Sequence, residues 1–217
     1  MTAARVRIRA CWREGDHAAL ASPARTASAG SVCARVVPMT ANAPTKRDGE
    51  REGNRSPRID GIAAEIGKAK FELRASSVIL LEMWEKWVFL ATLAAITCLM
   101  RSAIGDIEAA GGARLALDLL EECRSSAASA GFAPRAEFLE RTRSTMTAPG
   151  SLLTASMLRD IEDGAPIEAD HVLGDLVRRG DRVLSPDRSL LRLAYMHLKA
   201  YESRRNREKA AAENASS

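Results

Sequence analysis

The stretch EMWEKWVFLATLAAITCLMRSAIGDI, residues 82–107, contains no charged residue between Lys86 and Arg101. This uncharged run is fourteen residues long, whereas a helix that crosses a bilayer needs about 20 apolar residues. Thr92 and Thr97 also lie within the run. The stretch therefore predicts a helix that is buried in a protein core, and it argues against a membrane span.

Lys86 lies between Trp84 and Trp87 at the edge of this run. A lysine in such a place has two interpretations. Its aliphatic stem can lie along apolar surface while the ammonium stays in water. Alternatively, the ammonium can face a cleft as a catalytic group. The spacing alone leaves both interpretations open.

The basic charge of the chain is confined to its first 47 residues. The 217 residues are 46% hydrophobic and 28% charged, an ordinary globular composition. Eight of the 32 basic residues and two of the 28 acidic residues lie in residues 1–47, so this part carries +6 and the remainder −2. A nucleic-acid-binding domain needs a basic face on its folded part. The distribution therefore argues against a nucleic-acid partner.

Residues 1–48 form an arm that is rich in Arg, Ala, Ser, Thr and Pro. The arm has no sustained period of 2 or 3.6 residues, and it lacks the apolar segment of a secretory signal. Three interpretations stay open. The arm is a disordered segment, an acid-poor organelle transit peptide, or an out-of-frame translation of GC-rich DNA, which yields mainly these residue types.

Regular structure is predicted from Gly49 onward. Ser56 is an N-cap with Pro57 at the first helical position, and a short strand is predicted from Lys70. Beyond residue 77 the pattern is helical. The predicted helices are a long apolar one from Ile79 that loosens near Gly105, then 113–130, 134–146, 151–163, 167–180 and a last one starting at Ser185 and Pro186.

The four cysteines and three histidines form no metal-binding pattern, because CxxC pairs and neighbouring histidines are absent from the sequence. Cys98 and Cys123 fall within predicted helices, where a reduced cysteine packs as a small hydrophobic residue. This usage predicts a reducing, cytoplasmic setting.

Three blocks of the sequence resemble the carboxy-terminal domain of the ketopantoate reductase (2-dehydropantoate 2-reductase) family. MWEKWVFLATLAAITCLMRSAIGDI, from Met83, matches the family's tryptophan and catalytic lysine at the start of a long buried helix. SMLRDIEDGAPIEADHVLGDLVRRG, from Ser156, is similar to the family's Ser-Met-Leu-x-Asp, followed twelve residues after the serine by Glu-x-Asp. VLSPDRSLLRLAYMHLKAYE, from Val183, resembles the closing helix.

The resemblance implies a mainly helical fold. It predicts a helical carboxy-terminal domain like that of 6-phosphogluconate dehydrogenases, preceded by a short α/β remnant of a Rossmann domain. The implied parts are the arm (1–48), the remnant of the nucleotide-binding domain (49–77), the helical substrate and dimerisation domain (78–203) and a polar tail (204–217). The resemblance also predicts that two copies of the chain form a homodimer through the helical domain.

The chemistry that the resemblance implies is the NADPH-dependent reduction of a 2-oxo acid to a 2-hydroxy acid, of the pantothenate-pathway type. Lys86 would donate a proton to the ketone oxygen. Glu168 would hydrogen-bond the substrate hydroxyl and help to place the lysine. Ser156 would contact the substrate carboxylate. From the helical pattern of 151–163 alone, Ser156 is expected in mid-helix, where a serine bonds its own i−4 carbonyl or faces solvent.

Two departures from the family concern its asparagines. The family places them four and eight residues after the lysine, where this chain has Leu90 and Ala94, and before the glycine of the second block, where Leu173 precedes Gly174. A site that loses amide hydrogen bonds to its substrate loses discrimination for the polar substrate. A less polar 2-oxo acid is therefore expected as the substrate.

A third departure concerns the cofactor. Binding a dinucleotide requires a glycine turn between a strand and a helix N-terminus, and GxGxxG occurs nowhere in the sequence. The chain is therefore expected to be the substrate part of a reductase that is truncated or frame-shifted at its N-terminus. The alternative is a non-catalytic helical module for dimerisation or interaction.

Overall fold

The computed structural model describes residues 76–215 in full, together with Pro57, Asp60, Gly61 and the backbone of three short strands. The strands are β1 (Ala34–Val36), β2 (Lys46–Gly49) and β3 (Leu73–Ala75). The helices are α1 (Ile79–Met100), α2 (Ile104–Ala109), α3 (Ala113–Ser129), α4 (Ala136–Met146), α5 (Ser156–Glu162), a π-helix (Asp170–Gly174), α6 (Asp175–Arg179) and α7 (Leu190–Ala215). The predicted mainly helical fold is confirmed.

Helix α1 is the centre of the helical part, as the uncharged run predicts. Fourteen of its 22 residues are buried, and α3, α5, the π-helix and α7 all pack against it. Its buried hydroxyls are satisfied within the helix, since Thr92 donates to the Val88 carbonyl at 2.8 Å and Thr97 to the Leu93 carbonyl at 2.6 Å. None of the helices in the described part is long and apolar enough to span a bilayer.

The three strands form one small sheet with β2 in the middle. β1 pairs antiparallel with β2, and β3 pairs parallel with β2. β3 falls within the strand predicted from Lys70. β1 and most of β2 lie in the arm, for which the sequence pattern predicts no regular structure. The helix predicted from Ser56, and the boundaries of the arm and of the nucleotide-domain remnant, lie largely outside the described residues and stay predictions.

The start of α5 differs from the sequence prediction. Residues 151–155 are extended and not helical, because the backbone N–H groups of Ile104 and Gly105 donate to the carbonyls of Leu153 (3.0 Å) and Ser151 (2.8 Å). The Ala155 N–H donates to the Thr97 hydroxyl at 3.3 Å. Ser156 is therefore the first residue of a helix, and its expected mid-helix position is wrong.

The start of α7 also differs. Ser185 and Pro186 form a turn, in which the Arg188 N–H donates to the Ser185 hydroxyl at 3.2 Å, and α7 begins four residues later, at Leu190. Its N-terminus is capped by Glu122 of α3, whose carboxylate accepts from the backbone N–H groups of Leu190 and Leu191, each at 2.9 Å. A carboxylate at this end also complements the helix dipole.

Gly105 allows α2 to approach the extended segment before α5. A Cβ at this position would lie 2.3 Å from the Ser151 nitrogen and 2.6 Å from the Gly150 carbonyl carbon. These are backbone atoms, so the clash requires movement of the whole segment. We expect Gly105→Ala to lower the free energy of unfolding in urea by about 2 kcal/mol or more.

Gly61→Ala is the matched control for this substitution. Gly61 is helical and exposed, and a Cβ there would meet nothing within 4 Å. Its expected effect is a gain in stability of about 0.5–1 kcal/mol, because alanine is the better helix former. Equal effects of the two substitutions would show that the approach at Gly105 is not tight.

Candidate active site

Lys86 lies in the first half of α1 and is half-buried. Burial lowers the pKa of its ammonium. Within the described residues the ammonium makes no hydrogen bond and no ion pair. Buried charged groups are usually paired, so a half-buried ammonium without a protein partner is suited to meet an anionic or carbonyl-bearing ligand.

The tryptophans on either side of Lys86 point into the core. Trp84 is 1% exposed and stacks on Phe132, with ring centroids 5.1 Å apart. Trp87 is tilted against Trp84 at 4.9 Å, and the Arg179 guanidinium lies over both rings at 5.5 and 5.7 Å. At 100° per residue, Lys86 lies on a different side of α1 from this pair. The tryptophans therefore fix the turn of the helix that carries the lysine.

Glu168 lies in the irregular segment between α5 and the π-helix, and its side chain is exposed. Its backbone carbonyl accepts from the Val172 N–H at 3.0 Å. The Val172 carbonyl in turn accepts from the Trp87 indole N–H at 2.9 Å. This pair of bonds connects the segment that carries Glu168 to the turn of α1 that carries Lys86.

Ser156 is exposed at the start of α5. The bond from the Ala155 N–H to Thr97 places it beside the carboxyl-terminal half of α1. Thr97 is eleven residues beyond Lys86, about 16 Å along the helix axis. The segment that carries Glu168 is thus attached near the start of α1, whereas Ser156 is attached near its end. The structure shows no direct bond between any two of Lys86, Glu168 and Ser156.

The two positions at which the family has asparagines show different exposure. Leu90, one turn after Lys86, is half-buried, whereas Ala94 is 3% exposed. Neither side chain offers a hydrogen bond. Leu173, before Gly174, is fully buried. The α1 surface on the carboxyl-terminal side of Lys86 is therefore apolar.

Sequence reasoning missed the polar contacts that hold the segments of the candidate site. Asp170, in the Glu-x-Asp of the second block, accepts hydrogen bonds from the Tyr195 hydroxyl at 2.5 Å and the Lys199 ammonium at 3.0 Å. The bond from Tyr195 lowers the pKa of the Asp170 carboxyl. Tyr195 and Lys199 are four residues apart on α7, so their spacing shows that they share a helix face. Their partner is visible only in the structure.

The described residues hold no cluster of His, Cys, Asp and Glu that could bind a metal ion. Cys98 and Cys123 are free and buried, and burial raises the pKa of each thiol to about 12. Both cysteines are therefore unreactive core residues, as the sequence predicts.

Helices α3, α5, the π-helix and α7 pack around α1, which carries Lys86, and this helical architecture is shared with a class of oxidoreductases. The sequence pattern of the family described as ketopantoate reductase PanE/ApbA C terminal matches residues 78–202. The chain belongs to this family.

Comparison with individual known proteins agrees with this family assignment. The chain is 32% identical over 156 residues to the uncharacterized oxidoreductase YkpB of Bacillus subtilis (strain 168), a match that covers 71% of the chain and 51% of that protein. The 2-dehydropantoate 2-reductase of Methylococcus capsulatus superposes with a TM-score of 0.63 at 26% identity, over 80% of this chain and 57% of that one. A D-mandelate dehydrogenase shares the fold at 14% identity (TM-score 0.62, 76% and 69% covered). The chain thus spans about half the length of these first two relatives.

Proposed function

We propose that this chain supplies the substrate domain of a reductase that converts a 2-oxo acid to a 2-hydroxy acid with NADPH as the reductant. The observation that carries the proposal is Lys86. It lies at the family's lysine position, and its half-buried ammonium has no hydrogen-bond or ion-pair partner among residues 76–215. Such a lysine is suited to hydrogen-bond a ketone oxygen and to protonate it as negative charge develops.

Glu168 and Ser156 have supporting roles in the proposal. The exposed Glu168 carboxylate accepts a hydrogen bond from the substrate hydroxyl that forms. The Ser156 hydroxyl donates to the substrate carboxylate. This arrangement binds the substrate by its polar groups and leaves its carbon chain against Leu90.

The described residues do not fit a dinucleotide site. β3 connects to α1 through Ser76, Ser77 and Val78, and this turn lacks the glycines that let a backbone approach a pyrophosphate. Delivery of the hydride is therefore assigned to no residue described here. The proposal requires that the nicotinamide be held by a nucleotide-binding domain that packs against the substrate domain.

The proposed substrate is less polar than ketopantoate. The apolar surface of α1 on the carboxyl-terminal side of Lys86 cannot hydrogen-bond a substrate hydroxyl, and Leu90 would contact an alkyl group instead. A buried polar group that finds no partner is penalised on binding. 3-Methyl-2-oxobutanoate, which lacks the hydroxymethyl group of ketopantoate, is the matched probe for this preference.

The experiment compares the 217-residue chain with a joined protein, in which the nucleotide-binding domain of a ketopantoate reductase precedes residue 49. We expect the joined protein to oxidise NADPH when a 2-oxo acid is added, with a higher kcat/KM for 3-methyl-2-oxobutanoate than for ketopantoate. The 217-residue chain should show no saturable NADPH binding by titration calorimetry. A folded joined protein that binds NADPH and reduces no 2-oxo acid would favour the non-catalytic module instead.

A further inference from the structure

Residues 164–174, here called the Glu168 segment, are held mainly by side chains of other helices. Its irregular part, residues 165–168, belongs to no helix or strand. From α7, the Arg205 guanidinium donates to the Gly164 carbonyl at 2.7 Å and the Tyr201 hydroxyl to the Ala165 carbonyl at 2.8 Å. These bonds fix the segment on the amino-terminal side of Glu168.

On the other side of Glu168, Tyr195 of α7 holds both ends of the π-helix. Its hydroxyl donates to Asp170, the first residue of the π-helix. Its ring lies so close to Gly174, the last residue, that a Cβ there would come within 3.0 Å of it. The Asp175 N–H donates to the carbonyl of Asp170, five residues back. Single π-turns of this kind are frequent at functional sites.

From α1, the Trp87 indole N–H donates a hydrogen bond to the Val172 carbonyl of the Glu168 segment at 2.9 Å. Trp87 is 7% exposed and is packed against Trp84 and Arg179, so its indole has little freedom to move. It is also the residue next to Lys86. A rigid donor beside the lysine thus contacts the same π-turn that fixes the backbone of Glu168.

We propose that Trp87 is a positioning residue, which sets the distance between Lys86 and Glu168 by tying the Glu168 segment to α1 through the Val172 carbonyl. Tyr195 and Tyr201 hold the segment from the opposite side, on α7. This inference rests on the function proposed above, in which Lys86 and Glu168 act on one substrate. It also accounts for a tryptophan directly after the lysine, where packing alone requires only an apolar side chain.

The first test uses amide hydrogen exchange in the 217-residue chain. Trp87→Phe keeps an aromatic ring in the core and removes the indole donor. We expect the amides of Val172 and Asp175 to exchange about five- to tenfold faster, relative to the slowest amides of α1, because one net hydrogen bond is lost. Trp84→Phe is the matched control, since the buried Trp84 indole N–H has no hydrogen-bond partner in the part of the chain that the structure describes.

The control makes the same change of ring size on the same helix and keeps the Trp87 donor, so it should change the ratio of the Val172 and Asp175 rates to those of α1 much less than Trp87→Phe does. An equal change of this ratio in both variants overturns the inference. The inference is also overturned if Trp87→Phe accelerates exchange at Val172 and Asp175 by the same factor as at the slowest amides of α1, because those amides report global unfolding. Either result would mean that Trp87 stabilises the core and has no separate hold on the Glu168 segment.

The second test asks whether the tie acts through Glu168, and it uses the joined protein. We expect Trp87→Phe to lower kcat about five- to tenfold with little change in the KM for NADPH. In a joined protein that already carries Glu168→Ala, adding Trp87→Phe should not lower kcat further. A loss of the same size in both backgrounds overturns the positioning role. An inactive but folded joined protein refutes the proposed function, and the exchange result then decides separately whether the tie exists.

Discussion

Lys86→Ala should lower kcat of the joined protein by about 10²- to 10⁴-fold, the usual contribution of a general acid. The substitution removes the ammonium that would protonate the ketone oxygen. It also removes a half-buried stem, so the free energy of unfolding should change by less than about 1 kcal/mol. Steady-state kinetics and urea unfolding of the same preparation separate the two effects.

Lys209→Ala is the control for this loss of charge. Lys209 is exposed near the end of α7 and pairs with Glu213 at 3.7 Å. Its removal should leave both kcat and stability unchanged, because an exposed ion pair contributes little. If Lys86→Ala keeps most of the activity, Lys86 is a charge at the edge of an apolar helix and the site assignment fails.

The proposed role of Lys86 as a proton donor also determines how kcat should depend on pH. Burial lowers the pKa of the Lys86 ammonium below its ordinary value. A proton donor must be protonated, so kcat should fall as pH rises through this lowered pKa, and the fall should begin below the range of an exposed lysine. Because arginine does not titrate in this range, the alkaline fall should be absent from any activity that Lys86→Arg retains.

Glu85→Ala should lower the free energy of unfolding by about 3 kcal/mol, the largest loss of stability expected here. Glu85 is 4% exposed on α1. Its carboxylate accepts from the Arg135 backbone N–H at 3.0 Å and from the Arg135 Nε at 2.8 Å, with a further bond from the same guanidinium. The substitution leaves the first turn of α4 without its acceptor and opens a cavity beside α1.

This expectation is tested by urea unfolding of Glu85→Ala and of the same substitution at a glutamate in an exposed ion pair. Glu140 on α4 also pairs with an arginine, Arg143, but its side chain is 73% exposed. Glu140→Ala should therefore change stability by no more than about 0.5 kcal/mol. Glu85→Gln keeps the volume and one acceptor oxygen, and should fall between the two. Equal small losses for Glu85→Ala and Glu140→Ala would contradict a structural role for the buried pair.

Much of the fold follows from local pattern. The run from Lys86 to Arg101 predicts α1 because a sequence with no polar face is stable only in a core, and α1 begins at Ile79 as predicted. Gly131, with a φ of 88°, follows α3 as the helix-ending pattern predicts. These features depend on residues within a few turns of each other, so their physical cause is present in the sequence itself.

The starts of α5 and α7 could not be predicted in this way. Ser156 begins α5 because backbone N–H groups of α2, about 50 residues earlier, donate hydrogen bonds to the carbonyls of residues 151 and 153. At Leu190 a local cap and a distant one act together, since the Ser189 hydroxyl accepts from the Arg192 N–H at 3.1 Å and the Glu122 carboxylate of α3 accepts from the Leu190 N–H at 2.9 Å. Only the packing of the helices brings the distant groups near.

The sequence by itself determined the family and the central helix, since both depend on residue type and spacing along the chain. The roles of Lys86, Glu168 and Ser156 come from the resemblance to the family, and they stay predictions. Only the tertiary structure decided that Lys86 is half-buried, and that Trp87 bonds a carbonyl 85 residues away. Desolvation and a hydrogen bond between distant residues depend on which surfaces meet when α1, the π-helix and α7 pack together. That arrangement is a property of the assembled core, and no short stretch of sequence carries it.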